Sequence, residues 1–177
     1  MNIVENFLLH QLDLSLKKRH FAEELVLKND FTSEKLLALI HCANERQKVC
    51  LLCFCDTFSR KHLSYFKNIF QDLIDLAANE NHETNKRSLT NIYISMLKSE
   101  RESLSAEQKN QLSEICFTWL IGESLVATKS NCITCLDMLS NENQWIAEEL
   151  VAVIEQMYPQ MTVSFQSRAK KILKNRK

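Results

Sequence analysis

The sequence predicts an all-α fold, and three observations lead to that prediction. The 177 residues include one glycine, Gly122, and one proline, Pro159, whereas roughly 7% and 5% are usual. Tight hairpin turns and glycine-rich phosphate loops need glycines that this chain lacks, so sheet-based nucleotide enzymes are disfavoured. Apolar residues recur at helical spacing along most of the chain. The third observation is an internal repeat.

Four basic residues, which we call the basic ladder, mark the repeat because each stands near the start of an apolar helical stretch. They are Lys48, Arg87, Lys129 and Arg168, and they are 39, 42 and 39 residues apart. A period near ~40 residues built from paired helices is typical of HEAT or armadillo units, since one helix pair cannot bury its own apolar face. The sequence therefore predicts an α-solenoid of HEAT/armadillo-like helix pairs, an α-α superhelix, as a single domain over residues 1–177.

Within this fold, residues 1–30 predict an irregular N-terminal cap pair, because end repeats are often atypical. Four repeats follow, over about residues 31–60, 62–99, 105–140 and 143–175. The expected first helices carry these apolar stripes: Leu36, Leu37, Ile40 and Ala43; Leu63, Phe66, Phe70, Leu73, Ile74 and Ala77; Leu112, Ile115, Cys116, Trp119 and Leu120; Ile146, Leu150, Val153, Ile154 and Met157. Two second helices carry the stripes Leu89, Ile92, Tyr93 and Met96, and Cys132, Cys135, Leu136 and Leu139.

Helix boundaries also have sequence signals. Ser105 with Gln108, and Asn141 with Gln144, are capping-box patterns that predict helix starts. Gly122 and Pro159 stand where the helices of the third and fourth repeats are expected to stop.

Cysteine spacing is the strongest hint of chemistry. Cys50, Cys53 and Cys55 lie close together, and Cys132 and Cys135 form a second pair. Two such groups could bind zinc or act in redox chemistry, but the stretch between them is far too long for a zinc ribbon or finger. Burial as small apolar side chains is the favoured interpretation. We therefore predict no metal and no cofactor.

Charge and composition address location and partners. Lysine plus arginine and aspartate plus glutamate both number 22, so no global field favours nucleic acid or an acidic membrane. No apolar run approaches the ~18 residues that span a bilayer, and Glu5 and His10 replace a basic signal-peptide start. The odd number of cysteines, seven, points to reduced thiols. We expect a cytoplasmic protein without membrane contact.

Because the net charge is zero, an anionic partner must be bound by basic residues clustered on one part of the surface. The basic ladder together with Lys171 gives five candidate binding residues, which could form a row of cations along an inner face. The alternative is structural, since such residues often pair with a carboxylate or a helix-end carbonyl of the neighbouring repeat. Two further basic clusters are residues 17–19 and a C-terminal tail that comprises Arg168, Lys170, Lys171, Lys174, Arg176 and Lys177.

No catalytic grouping is visible in the chain. The five histidines, His10, His20, His41, His62 and His82, form no HxxxH or HExxH motif and no short-range grouping with serine and aspartate. The sequence therefore predicts that the protein is not an enzyme.

The C-terminal half carries a resemblance to a known family. The stretches LSAEQKNQLSEICFTWLIGESLVATKSNCITCLDML, NENQWIAEELVAVIEQMYPQ and SFQSRAKKILK, with KKRHFAEELVLKN upstream, resemble short bacterial HEAT-like proteins that often carry the name adenylosuccinate lyase. The resemblance implies an all-α repeat protein without an established activity. Adenylosuccinate lyases themselves are longer chains with a serine-rich loop and a Met-Pro signature, whereas the single proline here follows Tyr158.

Three functions are consistent with these features. The first is a non-catalytic scaffold that binds another protein with an acidic surface. The second is binding of the nucleic-acid phosphate backbone through the basic ladder, as in helical-repeat DNA-repair proteins. The third is an accessory role beside adenylosuccinate lyase. The absence of a catalytic grouping and the helical repeat favour the first.

Overall fold

The computed structural model describes residues 2–176, and every regular element within them is a helix. The all-α prediction is confirmed. The α-helices of this range are α1 (Ile3–His10), α2 (Leu16–Lys28), α3 (Ser33–Cys42), α4 (Glu45–Ser59), α5 (Phe70–Asp75), α6 (Glu83–Ser99), α7 (Ala106–Ile121), α8 (Val126–Leu139), α9 (Gln144–Met157) and α10 (Val163–Lys174). Four short 3₁₀ helices lie between them: Leu63–Ile69, Leu76–Asn79, Arg101–Ser103 and Tyr158–Gln160.

The chain divides into two compact units, Met1–Ser95 and Met96–Lys177. In the first unit, α1, α2 and α3 pack against α4, and the 3₁₀ helix Leu63–Ile69 packs against both α3 and α4. In the second unit, α7, α9 and α10 all pack against α8. One helix therefore forms the centre of each unit: α4 in the first and α8 in the second.

Phe58 of α4 is central to the core of the first unit. It is fully buried, and the ring centroids of Phe54, Tyr65 and Phe66 lie 5.2, 5.0 and 5.9 Å from its own. Two of these contacts are edge-to-face, an arrangement that adds stabilisation beyond the buried area. Elsewhere in the same unit, the buried Tyr93 hydroxyl donates a 2.7 Å hydrogen bond to the Leu73 carbonyl, so this polar group is satisfied inside the core.

The C-terminus of α8 is held by two arginines from distant parts of the second unit. Arg101 Nη1 donates to the Met138 carbonyl at 3.3 Å. Arg176 Nη2 donates to the Asp137 carbonyl at 3.0 Å and to its carboxylate at 2.7 Å. The last carbonyls of an α-helix have no partner within the helix, and cations there complement the helix dipole. These two arginines therefore stabilise the end of α8.

The segment 63–79 differs from its predicted form. Its apolar stripe predicted one α-helix, but the structure forms a 3₁₀ helix, the short α5 and a second 3₁₀ helix. Apolar residues three apart fit both helix types, because a step of three residues returns to the same face in a 3₁₀ helix and to a neighbouring part of the same face in an α-helix. Packing of Phe66, Phe70 and Leu73 into the core is retained, since all three are buried.

One predicted helix start is confirmed and the other is wrong. At α7, the Gln108 N–H donates to Ser105 Oγ at 3.1 Å and the Ser105 N–H donates to Gln108 Oε1 at 3.0 Å, which is a complete capping box. At α9, the cap is Asn143, whose side chain accepts from the Trp145 N–H at 3.1 Å, and Asn141 belongs to the preceding turn. Two asparagines two residues apart both fit the cap preference, so the turn geometry decides between them.

Both predicted helix ends are confirmed. α7 ends at Ile121 with Gly122 as its C-cap, and α9 ends at Met157, two residues before Pro159. Gly122 has φ of −70°, which any residue can adopt. Its requirement is steric, because a Cβ atom at this position would lie 2.9 Å from the Thr118 carbonyl oxygen.

The cap assignment at α9 gives a matched pair of variants. We expect Asn143→Ala to lower the free energy of unfolding by about 1 kcal/mol, because it leaves an N–H of the first helical turn without its acceptor. Asn141→Ala should change it by less than about 0.5 kcal/mol. Urea denaturation followed by circular dichroism measures both values. A larger loss for Asn141→Ala than for Asn143→Ala would contradict the assignment.

Candidate functional site

The structure places Lys48, the first residue of the basic ladder, in an internal ion pair. Its Nζ lies 2.7 Å from Glu80 Oε2, and the Glu80 side chain is 3% exposed. Burial opposes ionisation of Glu80, but hydrogen bonds from Lys48, the His82 N–H and Asn85 outweigh it, so the pKa of this carboxyl lies below its ordinary value of 4.5. Lys48 also borders a cavity that contains Asp72 and Asp75. Its role here is structural.

Arg168 is also engaged within its own unit. Its Nη1 donates to the Ser130 carbonyl at 2.8 Å and to Thr134 Oγ1 at 2.9 Å. Arg168 therefore connects α10 to α8.

Within the described range, the remaining candidate lysines have no such contacts. Lys129 is half-buried, and Lys171 is exposed on α10. Among residues 2–176, no side-chain partner is found for either lysine. Lys177, the last residue of the basic tail, lies outside the described residues.

Arg87 has a different environment from the rest of the basic ladder. It is exposed on α6, and its guanidinium makes no hydrogen bond or ion pair with the described residues. It borders a cavity of about 390 Å³ in the first unit. We call this cavity the arginine pocket and define it by its lining residues: Leu14, Leu16, Arg19, Cys53, Asp56, Thr57, Arg60, Thr84, Arg87 and Ser88. Lys48 does not line it.

Three successive parts of the chain each supply one arginine to the pocket. Arg19 lies on α2, Arg60 directly follows α4, and Arg87 lies on α6. The one carboxylate of the lining is Asp56, so the side chains that line the pocket carry a net charge of +2. Like charges gathered around one cavity attract an anion and raise its local concentration.

Arg19 is oriented by a hydrogen bond to its neighbour. Its Nη1 donates to Thr57 Oγ1 at 2.5 Å, and that hydroxyl donates in turn to the Cys53 carbonyl at 3.1 Å. The Nε atom of Arg19 is buried and has no partner among the described residues. A buried donor without an acceptor is costly, so this atom is a local strain on the fold of the first unit.

Asp56 partly neutralises the pocket and positions Arg60. Its carboxylate accepts from Arg60 Nη2 at 3.0 Å and from Asn91 Nδ2 at 2.9 Å. The Arg60 side chain is nevertheless 63% exposed, whereas that of Asp56 is 13% exposed. Arg60 therefore keeps donors available to solvent or to a ligand while its charge stays fixed at the rim.

Of these three arginines, the sequence named only Arg87 as a candidate binding residue, as a member of the basic ladder. Arg19 was part of the basic cluster 17–19, and Arg60 was not singled out. A usable signal exists, since Arg19 and Arg60 are 41 residues apart, close to the period of the basic ladder. Arg87 follows Arg60 after 27 residues, so no single period connects all three.

The cysteines lie mostly inside the two units. Cys50 and Cys55 of α4 are buried, and Cys53 is partly exposed beside Ser88. In the second unit, Cys116, Cys132 and Cys135 are fully buried, and Cys116 is hydrogen-bonded to the other two. The bond to Cys116 and burial raise the pKa of the Cys135 thiol well above its ordinary value. No group of three or more metal-ligating side chains within residues 2–176 is arranged to hold a metal ion.

None of the helices in the described range combines the length and the apolar character that crossing a membrane requires. Comparisons of the chain with protein-family models, with curated proteins and with solved structures gave no match.

Proposed function

We propose that the protein is a non-catalytic scaffold of HEAT-like helix pairs, an α-solenoid, that binds an acidic partner protein through the arginine pocket. The observation that carries the proposal is the convergence of Arg19, Arg60 and Arg87 on one cavity. Arginine forms bidentate hydrogen bonds with carboxylates, which makes it well suited to an acidic surface.

The spacing of side-chain contacts supports the repeat. Arg19 bonds to Thr57, 38 residues ahead, and Asn91 bonds to Asp56, 35 residues behind, so both α2 and α6 contact α4. In the second unit, Arg168 of α10 bonds to Ser130 of α8, 38 residues behind. Contacts between alternate helices at separations near the sequence period are what stacked helix pairs produce.

The rim of the pocket favours a protein over a nucleic acid. Leu14 and Leu16 line the pocket and are 53% and 59% exposed. Protein interfaces combine apolar contacts with arginine, whereas contacts to a phosphate backbone are polar and charged. The internal pairing of Lys48 and Arg168 also leaves the basic ladder with fewer cations for a phosphate backbone.

We also propose a cytoplasmic location. All seven cysteines lie within the described residues, and each is a free thiol. Free thiols are retained in reducing compartments.

Capture of the partner from native lysate tests the proposal. Tagged protein is incubated with nuclease-treated lysate, washed at low and high salt, and the retained proteins are identified by mass spectrometry. We expect one stoichiometric acidic protein, retained by the wild type and lost from the double variant Arg19→Gln/Arg87→Gln. The control Arg46→Gln removes an exposed arginine of the same unit outside the pocket and should retain the partner.

Two other results would overturn the proposal, and a third would identify the partner. Retention by the double variant would show that the pocket is not the binding surface. Nucleic acid held only without nuclease and at low salt would establish phosphate-backbone binding instead. If the retained protein were adenylosuccinate lyase, the scaffold would be an accessory to that enzyme.

A further inference from the structure

The donors of the arginine pocket outnumber its acceptors. Three guanidinium groups face one carboxylate. The Asp56 carboxylate is already occupied by Arg60 and Asn91. Ser88 and Thr84 add hydroxyl groups to the lining, and among residues 2–176 the partner of the Ser88 hydroxyl is Cys53 Sγ at 3.6 Å. A group that fills this pocket well must therefore accept several hydrogen bonds and carry negative charge.

Two donors in particular lack an acceptor. The Arg87 guanidinium is unpaired among the described residues, and Arg19 Nε is buried without a partner. The bond from Arg19 Nη1 to Thr57 limits the conformations of that side chain, so part of the ordering cost of binding is already met. The donors that an anion in the pocket can reach are those of Arg87, which is exposed and unpaired among the described residues, and of Arg60, whose side chain is 63% exposed.

We propose that the arginine pocket binds a phosphate monoester, presented by the partner on a phosphorylated side chain. This inference rests on the proposed scaffold function for the source of the phosphate. A monoester carries about −1.5 to −2 charges at neutral pH and has three acceptor oxygens. That charge matches the net +2 of the lining, whereas one carboxylate supplies about half of it.

A phosphodiester fits the same pocket less well. Each diester carries a single negative charge and two bulky substituents, both of which must leave the site. The lining carries a net charge of +2, of which a diester balances half. Leu14 and Leu16 line the same pocket and are exposed, so they offer apolar contacts to a protein partner. Charge therefore favours a monoester over a nucleic-acid backbone.

An NMR titration of the isotope-labelled full chain with phenyl phosphate tests the site directly. We expect saturable shifts of the Nε–H signals of Arg19 and Arg87, and affinity at least about tenfold weaker for the diester dimethyl phosphate. Arg87→Gln should weaken phenyl phosphate binding by about tenfold. Arg87→Lys, which keeps the charge but loses the two-donor fork, should fall between Arg87→Gln and the wild type.

Matched controls guard against misfolding and non-specific charge effects. Arg46→Gln should bind phenyl phosphate as the wild type does, and circular dichroism should show the same helix content for all variants. Failure to reach saturation, equal affinity for the diester, or unchanged binding in Arg87→Gln would overturn the inference.

Phosphatase treatment separates this inference from the scaffold proposal. The captured partner should leave the wild-type protein after its phosphate groups are removed. If the partner stays bound after dephosphorylation but is lost from the Arg19→Gln/Arg87→Gln variant, the scaffold proposal stands and the phosphate inference is wrong. If phenyl phosphate binds in the pocket and no partner is retained, the monoester site stands, but the scaffold proposal and the partner as the source of the phosphate are both wrong.

Discussion

Replacing Phe58 with alanine is expected to lower the free energy of unfolding by about 3–5 kcal/mol. The side chain is fully buried in α4, and its ring lies against those of Phe54, His62, Tyr65 and Phe66. Its removal would lose both the transfer free energy of the ring and the packing of the surrounding rings, because the helices around it can only partly close the resulting cavity. Urea denaturation followed by circular dichroism measures the loss.

Phe21→Ala is the matched control for this variant. Phe21 belongs to the same unit and makes an edge contact with Phe7 at 4.9 Å, but it is 48% exposed. Phe21→Ala should lower the free energy of unfolding by about half as much as Phe58→Ala or less, because Phe21 buries less apolar area in the folded protein. Equal losses for the two variants would show that Phe58 does not hold the central position described here.

Glu80→Ala is expected to lower the free energy of unfolding by about 2–4 kcal/mol, because it removes one partner of a buried ion pair. The Glu80 carboxylate is buried and accepts from Lys48 Nζ at 2.7 Å, from the His82 N–H at 2.8 Å and from Asn85 Nδ2 at 3.1 Å. Breaking a buried ion pair by removing one partner typically costs about 3–5 kcal/mol. The Lys48 side chain is 23% exposed, so water can recover part of that loss.

The stabilisation from Glu80 should also depend on pH. Its pKa in the folded protein is lower than the ordinary value of 4.5. The carboxylate therefore contributes fully at pH values well above 4.5, and this contribution is lost as the pH falls through the lower folded-state pKa. Denaturation at several pH values should show that the deficit of Glu80→Gln relative to the wild type shrinks below about pH 4.5.

Glu142→Ala provides the comparison for an exposed ion pair. Glu142 also contacts two cations, Lys109 at 2.7 Å and Arg101 at 2.8 Å, but its side chain is 37% exposed. Exposed ion pairs contribute about 1 kcal/mol or less to the free energy of unfolding. Glu142→Ala should therefore be nearly as stable as the wild type. If Glu80→Ala were as mild as Glu142→Ala, the structural role assigned to Lys48 would be wrong.

The helical class was predictable because its signals are local. The scarcity of glycine and proline and the apolar stripes act within a few residues, and the capping box of Ser105 and Gln108 spans only four residues. The choice between α and 3₁₀ geometry over residues 63–79 was not predictable, since both place Phe66, Phe70 and Leu73 on a buried face.

The surroundings of the basic ladder were beyond sequence reasoning for a different reason. A lysine that pairs with a carboxylate 32 positions away, as Lys48 does with Glu80, looks the same in sequence as one that faces solvent. Arg168 shows the same difficulty, because its acceptors are a backbone carbonyl and a threonine hydroxyl. The arginine pocket depends on how α2, α4 and α6 pack, so its three cations become neighbours only in the folded unit.

The arginines at the C-terminus of α8 bear on how this protein is synthesised. Arg176 emerges from the ribosome 39 residues after Asp137, whose carbonyl and carboxylate it binds. Helix formation within α8 needs only local contacts and is fast on the timescale of translation. Until Arg176 emerges, the last turn of α8 has only part of its contacts: the Ser140 hydroxyl donates to the Asp137 carbonyl at 2.6 Å and Arg101 donates to the Met138 carbonyl. A pause in translation before residue 176 would leave the Asp137 carboxylate without the arginine that completes this helix end.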